Sequence, residues 1–364
     1  MKNTLFKKGL VVGIIVLFIG LSVASSHANV LNVNISTNDE LLLTPFTREN
    51  TIYVDDDNTE GPWDGTIEHP YQYIQDGVDN ANSGDTVYVF NGTYYERIKM
   101  TKSSIKLIGE NKNTTFINGC GKDGIYLNIN ANSTHISGFS IFNATYGIRG
   151  CSNYNKIYNN KIFDNVYGIE FLTEYGLDEV EENCYNEIFR NIINNNYWGS
   201  IHIYSDIPYW GIKCNYNKIY ENIISNSEGG ISFTIMCCYN KIYRNYIHNI
   251  GWCSLSVDGK YNSIINNDIR NGWNGISTWQ STGNIFKKNN LINIKDDASF
   301  SNSFGCRWIR NYWDDWIGSG PKIIHGYLSF TPDVTWNVYN FDWRPARKPY
   351  EIIFTNNIEG CGIE

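Results

Sequence analysis

"YNKIYENIIS" at residues 216–225 comes back along the chain as "YNKIYNNKIF" at 154–163, "YNEIFRNIIN" at 185–194, "YNKIYRNYIH" at 239–248 and "YNSIINNDIR" at 261–270. With the first Asn of each phrase as an anchor, Asn155, Asn186, Asn217, Asn240, Asn262 and Asn284 line up, with Thr134 ahead of them and Cys306 behind in the same slot. The steps are 21, 31, 31, 23, 22, 22 and 22 residues. Two positions after the anchor stand Ile136, Ile157, Ile188, Ile219, Ile242, Ile264, Phe286 and Trp308; seven after it stand Ile141, Ile162, Ile193, Ile224, Ile247, Ile269, Leu291 and Trp313. About fourteen residues on, a Gly or small residue precedes Ile148, Ile169, Ile201, Ile231, Leu255 or Ile276. Three separated apolar positions without a helix-length stripe describe short strands. A 22-residue unit at roughly 3.3 Å per residue traces about 73 Å, one turn of a flattened or triangular coil.

Coils stacked at roughly 4.8 Å would place equivalent residues in ladders. A second Asn ladder follows five residues after the first: Asn160, Asn191, Asn222, Asn245, Asn267, Asn289 and Asn311. Asn tolerates the left-handed backbone of a sharp corner, and a stacked amide donates to the oxygen of the amide in the next coil. These ladders read as construction rather than catalysis. Leucine-rich repeats share the period but require a Leu-rich consensus; here the repeat is built from Ile, Tyr and Asn.

The ends differ from the middle. "PYQYIQDGVDNANSGDTVYV" at 70–89 places Tyr73, Ile74, Gly77, Val78 and Ala81 on one helical face ahead of a strand opening at Asp85, which suits a helix that plugs the solenoid. At the other end "NYWDDWIGSGPKIIHGY" (311–327) and "NFDWRPARKP" (340–349) break the period and form a last coil and its cap. The first residues, Lys2, Lys7 and Lys8 before the apolar run Leu10–Val23 and Ser26-His27-Ala28, have the layout of a secretory signal, with cleavage expected near Ala28. Residues 29–50 read as a flexible polar leader. Without the signal, 26 basic residues face 37 acidic ones, near −11, which argues against nucleic acid or an anionic membrane as partner. No later segment is apolar enough to span a membrane, and a monomer is expected. Nine cysteines leave at least one unpaired within the chain.

With the helix, the stretch "SGDTVYVFNGTYYERIKMTKSSIKLIGENKNTTFING" (83–119) and the repeats in place, the chain resembles secreted right-handed parallel β-helix proteins of the NosD-like, pectin-lyase-like superfamily. Its opening "YVDDDNTEGPWDGTIEHPYQYIQDG" and its close "NYWDDWIGSGP…DWRPA" are similar to the archaeal branch. The resemblance covers about residues 51–346. It implies an all-β fold: a single-stranded right-handed parallel β-helix of coils about 22 residues long, with an N-terminal cap over 51–84 that includes the helix, a C-terminal cap over 311–346 and a tail over 347–364. Pectate lyases, polygalacturonases, methylesterases, alginate epimerases and NosD accessory proteins share the fold. Their signatures, such as Asn-Thr-Asp with Gly-His-Gly or Asp-Pro-His-Asp, are absent, so no catalytic residue carries over.

Candidate sites therefore come from outward columns. Arg149, Glu170, His202, Ser232, Ser256 and Ser277 follow one another directly after the small-aliphatic step, with Tyr204, Thr234, Asp258 and Trp279 two residues further along. Arg149, Glu170 and His202 on adjacent rungs would suffice for acid-base or Ca²⁺-assisted chemistry on an acidic sugar; polar sheet decoration is the plainer account. Two long loops emerge beside them: "LTEYGLDEVEEN" at 172–183, with five carboxylates, and "YSDIPYWGIKCN" at 204–215, with Asp206, Tyr209 and Trp210. Counted from the anchors, Tyr146, Tyr167, Trp198, Gly229 and Trp252 form an aromatic column, with Trp273 one place off. Tyr146, Tyr167, Trp198, Trp210 and Trp252 are thus the expected carbohydrate contacts.

No metal site is assigned. His69, His135, His202, His248 and His325 place no two on one ladder, a poor basis for copper. Cys214 and Cys237 share a slot on adjacent coils, with Cys184 and Cys238 one slot over, and read as buried thiols or one disulfide. Asp55–Asp57 leave Ca²⁺ as the one open cofactor. The expected function is an exported cell-surface or extracellular protein that binds polysaccharide; the alternatives are a lyase, hydrolase or epimerase acting on acidic sugars, and a NosD-like assembly factor for a copper or other metalloenzyme.

Overall fold

The computed structural model describes residues 50–172, 183–205, 213–331 and 334–354. The expected signal peptide, the leader up to residue 49, the carboxylates Glu174 to Glu182, the loop residues Asp206, Tyr209 and Trp210, and the tail beyond 354 lie outside them.

Thirty short strands wind into one nearly continuous parallel sheet. The chain is a right-handed parallel β-helix with three strand faces per coil. One face stacks Val87, Leu107, Ile136, Ile157, Ile188, Ile219, Ile242, Ile264, Phe286 and Trp308 in register. The second stacks Ile117, Ile141, Ile162, Ile193, Ile224, Ile247, Ile269, Leu291 and Trp313. On the third, Ile98, Ile125, Ile148, Ile169, Ile201, Ile231, Leu255 and Ile276 do the same. All are buried, so the repeat's three apolar positions are the three inner columns of the core.

The asparagines lie inside the corners and ladder amide to amide as expected, but they are not the left-handed residues. The left-handed residue is the one before each Asn: Tyr154 (φ 61°), Tyr185 (61°), Tyr216 (60°), Tyr239 (58°) and Tyr261 (56°) at the first corner, and Asn159, Arg190, Glu221, Arg244, Asn266, Lys288 and Arg310 at the second. Each Asn serves as an acceptor for the backbone that turns. The N–H of Asn191 donates to Asn222 Oδ1 at 3.0 Å, and that of Asn222 to Asn245 Oδ1 at 3.1 Å. Every Nδ2 from Asn160 to Asn289 donates to the Oδ1 of the next coil. A third ladder, Asn165, Asn196 and Ser227, serves the remaining corner.

Helix α1 (Ile74–Asn80) buries Ile74, Gly77 and Val78, while Tyr73, expected on that face, is its exposed N-cap. Gly77 lets α1 approach the first strand, since a Cβ there would stand 2.7 Å from Val54 Cγ2. The Glu96 carboxylate accepts from the N–H groups of Ile74 and Gln75, satisfying donors the first turn cannot. At the far end Lys322–Thr331 and Val334–Asp342 form an antiparallel hairpin. It delivers Asp342 to the end of the second ladder. Asp342 Oδ2 accepts from Asn311 N–H, Asn311 Nδ2 and Trp313 Nε1, and Oδ1 from the N–H groups of Arg310 and Arg344. The start of the tail has no strand over 351–354 but is tied down: Asn290 exchanges two hydrogen bonds with the Tyr350 backbone, and Arg244 donates to Ile353 O.

Candidate functional site

Arg149, Glu170 and His202 occupy adjacent rungs of one outward column, which continues through Ser232, Ser256, Ser277 and Ser299 to His325. His202 and His325 therefore do share a ladder, contrary to the sequence count, with four serines between them. The guanidinium of Arg149 lies over the Tyr146 ring at 5.0 Å, and Tyr146 stacks on Tyr167 at 5.2 Å. Glu170 is buried at the next rung. Burial, then the Glu170 charge, pushes the hydroxyls of Tyr146 and Tyr167 above their ordinary range.

His202 is not the cation of an ionic cluster. Burial pushes its imidazole down to about 4, so it is neutral at pH 7. The tyrosine column makes room for it by becoming glycine: Tyr146 and Tyr167 are followed in register by Gly199 and Gly229. A Cβ at Gly199 would stand 2.2 Å from His202 Nε2.

That register also moves the tryptophans. The step from Tyr167 to Gly199 is 32 residues, whereas the neighbouring ladder steps 31 from Asn165 to Asn196. The extra residue is taken up at Trp198 and given back before Gly229. Trp198 consequently leaves the Tyr146–Tyr167 column, and Trp252 does so through a second extra residue, since Gly229 to Cys253 is 24 residues where Asn222 to Asn245 is 23. Both join the adjacent column, where Trp198, Glu228, Trp252, Trp273 and Lys295 are successive rungs. Trp273, expected one place off, is in step with Trp252. Trp210 lies outside the described residues.

The repeat places Tyr158, Tyr220 and Tyr243 in one outward column, as the structure shows, but sequence reasoning missed the other tyrosine ladder and the basic rows of that face. Tyr154, Tyr185, Tyr216, Tyr239 and Tyr261 stack with centroids 4.9, 5.0, 5.4 and 5.4 Å apart, each 44–55% exposed. Four residues along, Tyr158, Phe189, Tyr220 and Tyr243 form a second stack at 5.0, 4.8 and 4.8 Å. Between them runs Lys106, His135, Lys156, Glu187, Lys218, Lys241, Ser263, Ile285 and Arg307. Beyond the second stack the corner residues include Arg190, Glu221, Arg244, Lys288 and Arg310. These two rows hold nine basic side chains and two carboxylates, Glu187 and Glu221, on a chain whose formal charge is −8. Lys218 pairs with Glu187 at 2.7 Å; Glu221 takes Arg190 at 2.8 Å and Arg244 at 3.1 Å. Burial first, then Lys156 and Lys106, holds His135 below its usual range, so it too is neutral. A groove of about 410 Å³ runs along the face between Tyr154, Tyr185 and Tyr216 on one side and Lys156, Glu187 and Lys218 on the other. The signal was in the phrase: Tyr, Lys and Tyr at alternate positions point outward together on a strand.

Metal sites were tested on the donors present. Asp297, Asp314 and Asp315 are the one carboxylate triad that converges among the described residues. Its cation is already supplied by Lys322, whose Nζ lies 2.9 Å from Asp297 Oδ2 and also contacts Asp315. Burial nevertheless pushes the Asp297 carboxyl up to about 7. This ion group closes the last coil against the hairpin and does not fit a bound metal. Cys214 and Cys237 are buried thiols. The hydrogen bond that the Cys214 thiol donates to Cys237, then burial, raises that thiol well above its ordinary range, the opposite of a ready metal ligand.

No protein-family model matches the chain, and no curated protein matches it. Solved structures do. An alginate lyase from Paenibacillus sp. str. FPU-7 superposes with a TM-score of 0.53 at 16% identity, over 71% of this chain and 95% of that one. A GH136 lacto-N-biosidase from Eubacterium ramulus gives 0.50 at 12%, over 72% of this chain and 56% of that one. Pectate lyase Pel9A gives 0.49 at 13%, over 75% and 82%. The likeness to the first two shows the fold alone, a parallel β-helix. Among the described residues no helix is long and apolar enough to cross a membrane.

Proposed function

We propose that this is an exported, surface or extracellular β-helix protein that binds an acidic polysaccharide along the basic and aromatic face. The observation that carries the reading is the segregation of charge: nine basic side chains in two rows, on a net acidic chain, beside two stacked aromatic ladders. Stacking consumes the flat faces of these rings, so the exposed tyrosines offer edges and hydroxyls, one per rung. A linear polymer laid along the axis would meet a hydroxyl at each step of roughly 4.8 Å and, at Lys156, Lys218 and Lys241, a partner for its carboxylates. The remaining negative surface disfavours a nucleic acid, whose charge extends around the whole duplex. Export rests on the signal-like first 28 residues, and a monomer that binds as a rigid rod is the simplest form. The resemblance to NosD-like archaeal proteins fits this placement outside the cell.

Affinity electrophoresis through gels containing polyuronate, neutral glucan or DNA tests the proposal. Retardation by polyuronate alone is expected, with K156Q/K218Q/K241Q losing about tenfold or more in affinity. Equal retardation by DNA, or an unaffected triple variant, would overturn it.

A second reading, a lyase, hydrolase or epimerase on acidic sugars, is favoured by one observation: a neutral imidazole at His202 on the rung beside the buried Glu170 carboxylate, with Arg149 next in line. Release of unsaturated or epimerised products from polyuronates, with and without Ca²⁺, decides it. A NosD-like metalloenzyme assembly role predicts stoichiometric copper or zinc by elemental analysis of the purified protein.

A further inference from the structure

We propose that Trp198, Glu228 and Trp252 bind an amino sugar that carries a free ammonium group, at the edge of the coil opposite the basic face. Trp198 and Trp252 are 53% and 68% exposed, and Glu228 occupies the rung between them. Its carboxylate rests over Gly251, where a Cβ would stand 2.8 Å from Oε2, and so lies beside Trp252. Among the described residues Glu228 has no ion-pair partner. The next two rungs of the same column show what this chemistry does when its ligand is built in: Lys295 Nζ sits 3.2 Å from the centre of the Trp273 ring. Trp198, Glu228 and Trp252 offer the same pairing, with a carboxylate added, to solvent.

A cation held over an indole and beside a carboxylate is favourable where water is partly excluded. The Trp252 indole, and the part of Trp198 not met by Tyr197 in a T-shaped contact at 5.0 Å, also accept the C–H face of a pyranose ring, which a lone ammonium ion would not use. Rungs spaced at roughly 4.8 Å allow consecutive sugars to follow the axis. The negative chain draws a cationic polymer towards this edge. The proposal shares with the preceding one the assumption that the ligand is a glycan, but it uses none of the same residues.

Titration of the full chain by tryptophan fluorescence tests it, with a glucosamine tetramer, its N-acetylated counterpart and an oligolysine of equal charge. Saturable quenching by the glucosamine tetramer is expected, with the acetylated form about tenfold weaker or worse. W252A should abolish the quenching response, and E228Q should weaken affinity by about tenfold. Equal affinity for the acetylated tetramer, an unchanged E228Q, or oligolysine binding as tightly would each overturn the assignment. Polyuronate retardation of E228Q and W252A is read in parallel. If that retardation is absent in every variant while glucosamine binding holds, the basic-face reading fails alone.

Discussion

Asn222 shows how much one amide does here. Its Oδ1 accepts from the backbone and side chain of Asn191, and its Nδ2 donates to Ile188 O at 2.9 Å and Asn245 Oδ1 at 3.0 Å. Replacing it with Ala leaves buried donors and acceptors unanswered on two coils, so Asn222→Ala should destabilise by about 2–3 kcal/mol in urea titration. The repeat made the asparagines legible, because a residue that returns at one slot must do one job. Half of that job, the amide ladder, was read correctly; the left-handed corner was placed on the wrong residue, since Tyr is a poor candidate for positive φ and nothing in the pattern singles out the residue before the Asn. Tyr216 holds φ 60° while stacked on two neighbours. A left-handed non-Gly residue costs roughly 1–2 kcal/mol, comparable to two ring contacts at about 0.5–1.5 kcal/mol each. Tyr216→Ala keeps the strain and loses the rings; Tyr216→Gly loses both. The Gly variant should therefore be the more stable of the two, the reverse of the usual order in strands. His202 adds a pH dependence. Its folded value near 4 lies below the ordinary 6.5, so the unfolded chain binds the extra proton first and stability falls as pH drops from 6.5 towards 4. His202→Gln should flatten that limb of the stability curve.

For strands and corners, the three inner columns were readable because every coil repeats them, and the register of Arg149, Glu170 and His202 follows directly. The tryptophan corner was not readable. Counting from the Asn anchor assumes a constant distance to the next strand, and the two extra residues, one at Trp198 and one at Trp252, leave no mark in composition or periodicity. Gly199 is the other consequence of that stretch of backbone. Gly199→Ala should force the imidazole of His202 out towards solvent and return its NMR titration towards 6.5; an unmoved titration would mean that the strand yields instead of the ring.

Taken as a whole, the molecule carries its charge unevenly, and this was invisible to a net count near −8. The repeat sets Lys156, Lys218 and Lys241 at one slot, directly after the Asn anchor, and the coiling brings them onto one line. Binding through such a line should weaken steeply as salt rises, and the K156Q/K218Q/K241Q variant should show a shallower salt dependence than the parent. The C-terminal closure was half legible: Trp, Gly and Pro announced an end. The role of Asp342 went unseen, although it stands 31 residues after Asn311, a step the ladder had already used twice. Asp342→Asn keeps the shape but turns one oxygen into a donor facing N–H groups, and should lower stability nearly as much as Asp342→Ala.

The amides of the second ladder all point the same way, so their dipoles add along the axis and leave a row of hydrogens facing outward at the last coil. Asp342 closes that row with a full negative charge. A stack of identical coils is otherwise an invitation to grow, since the final rung of one molecule could template the first rung of another. With a carboxylate seated where the next amide would go, an incoming strand finds those donors already taken. The length of the rod is thus fixed chemically at its tip, by a single oxygen-for-nitrogen exchange in the side chain that ends the series.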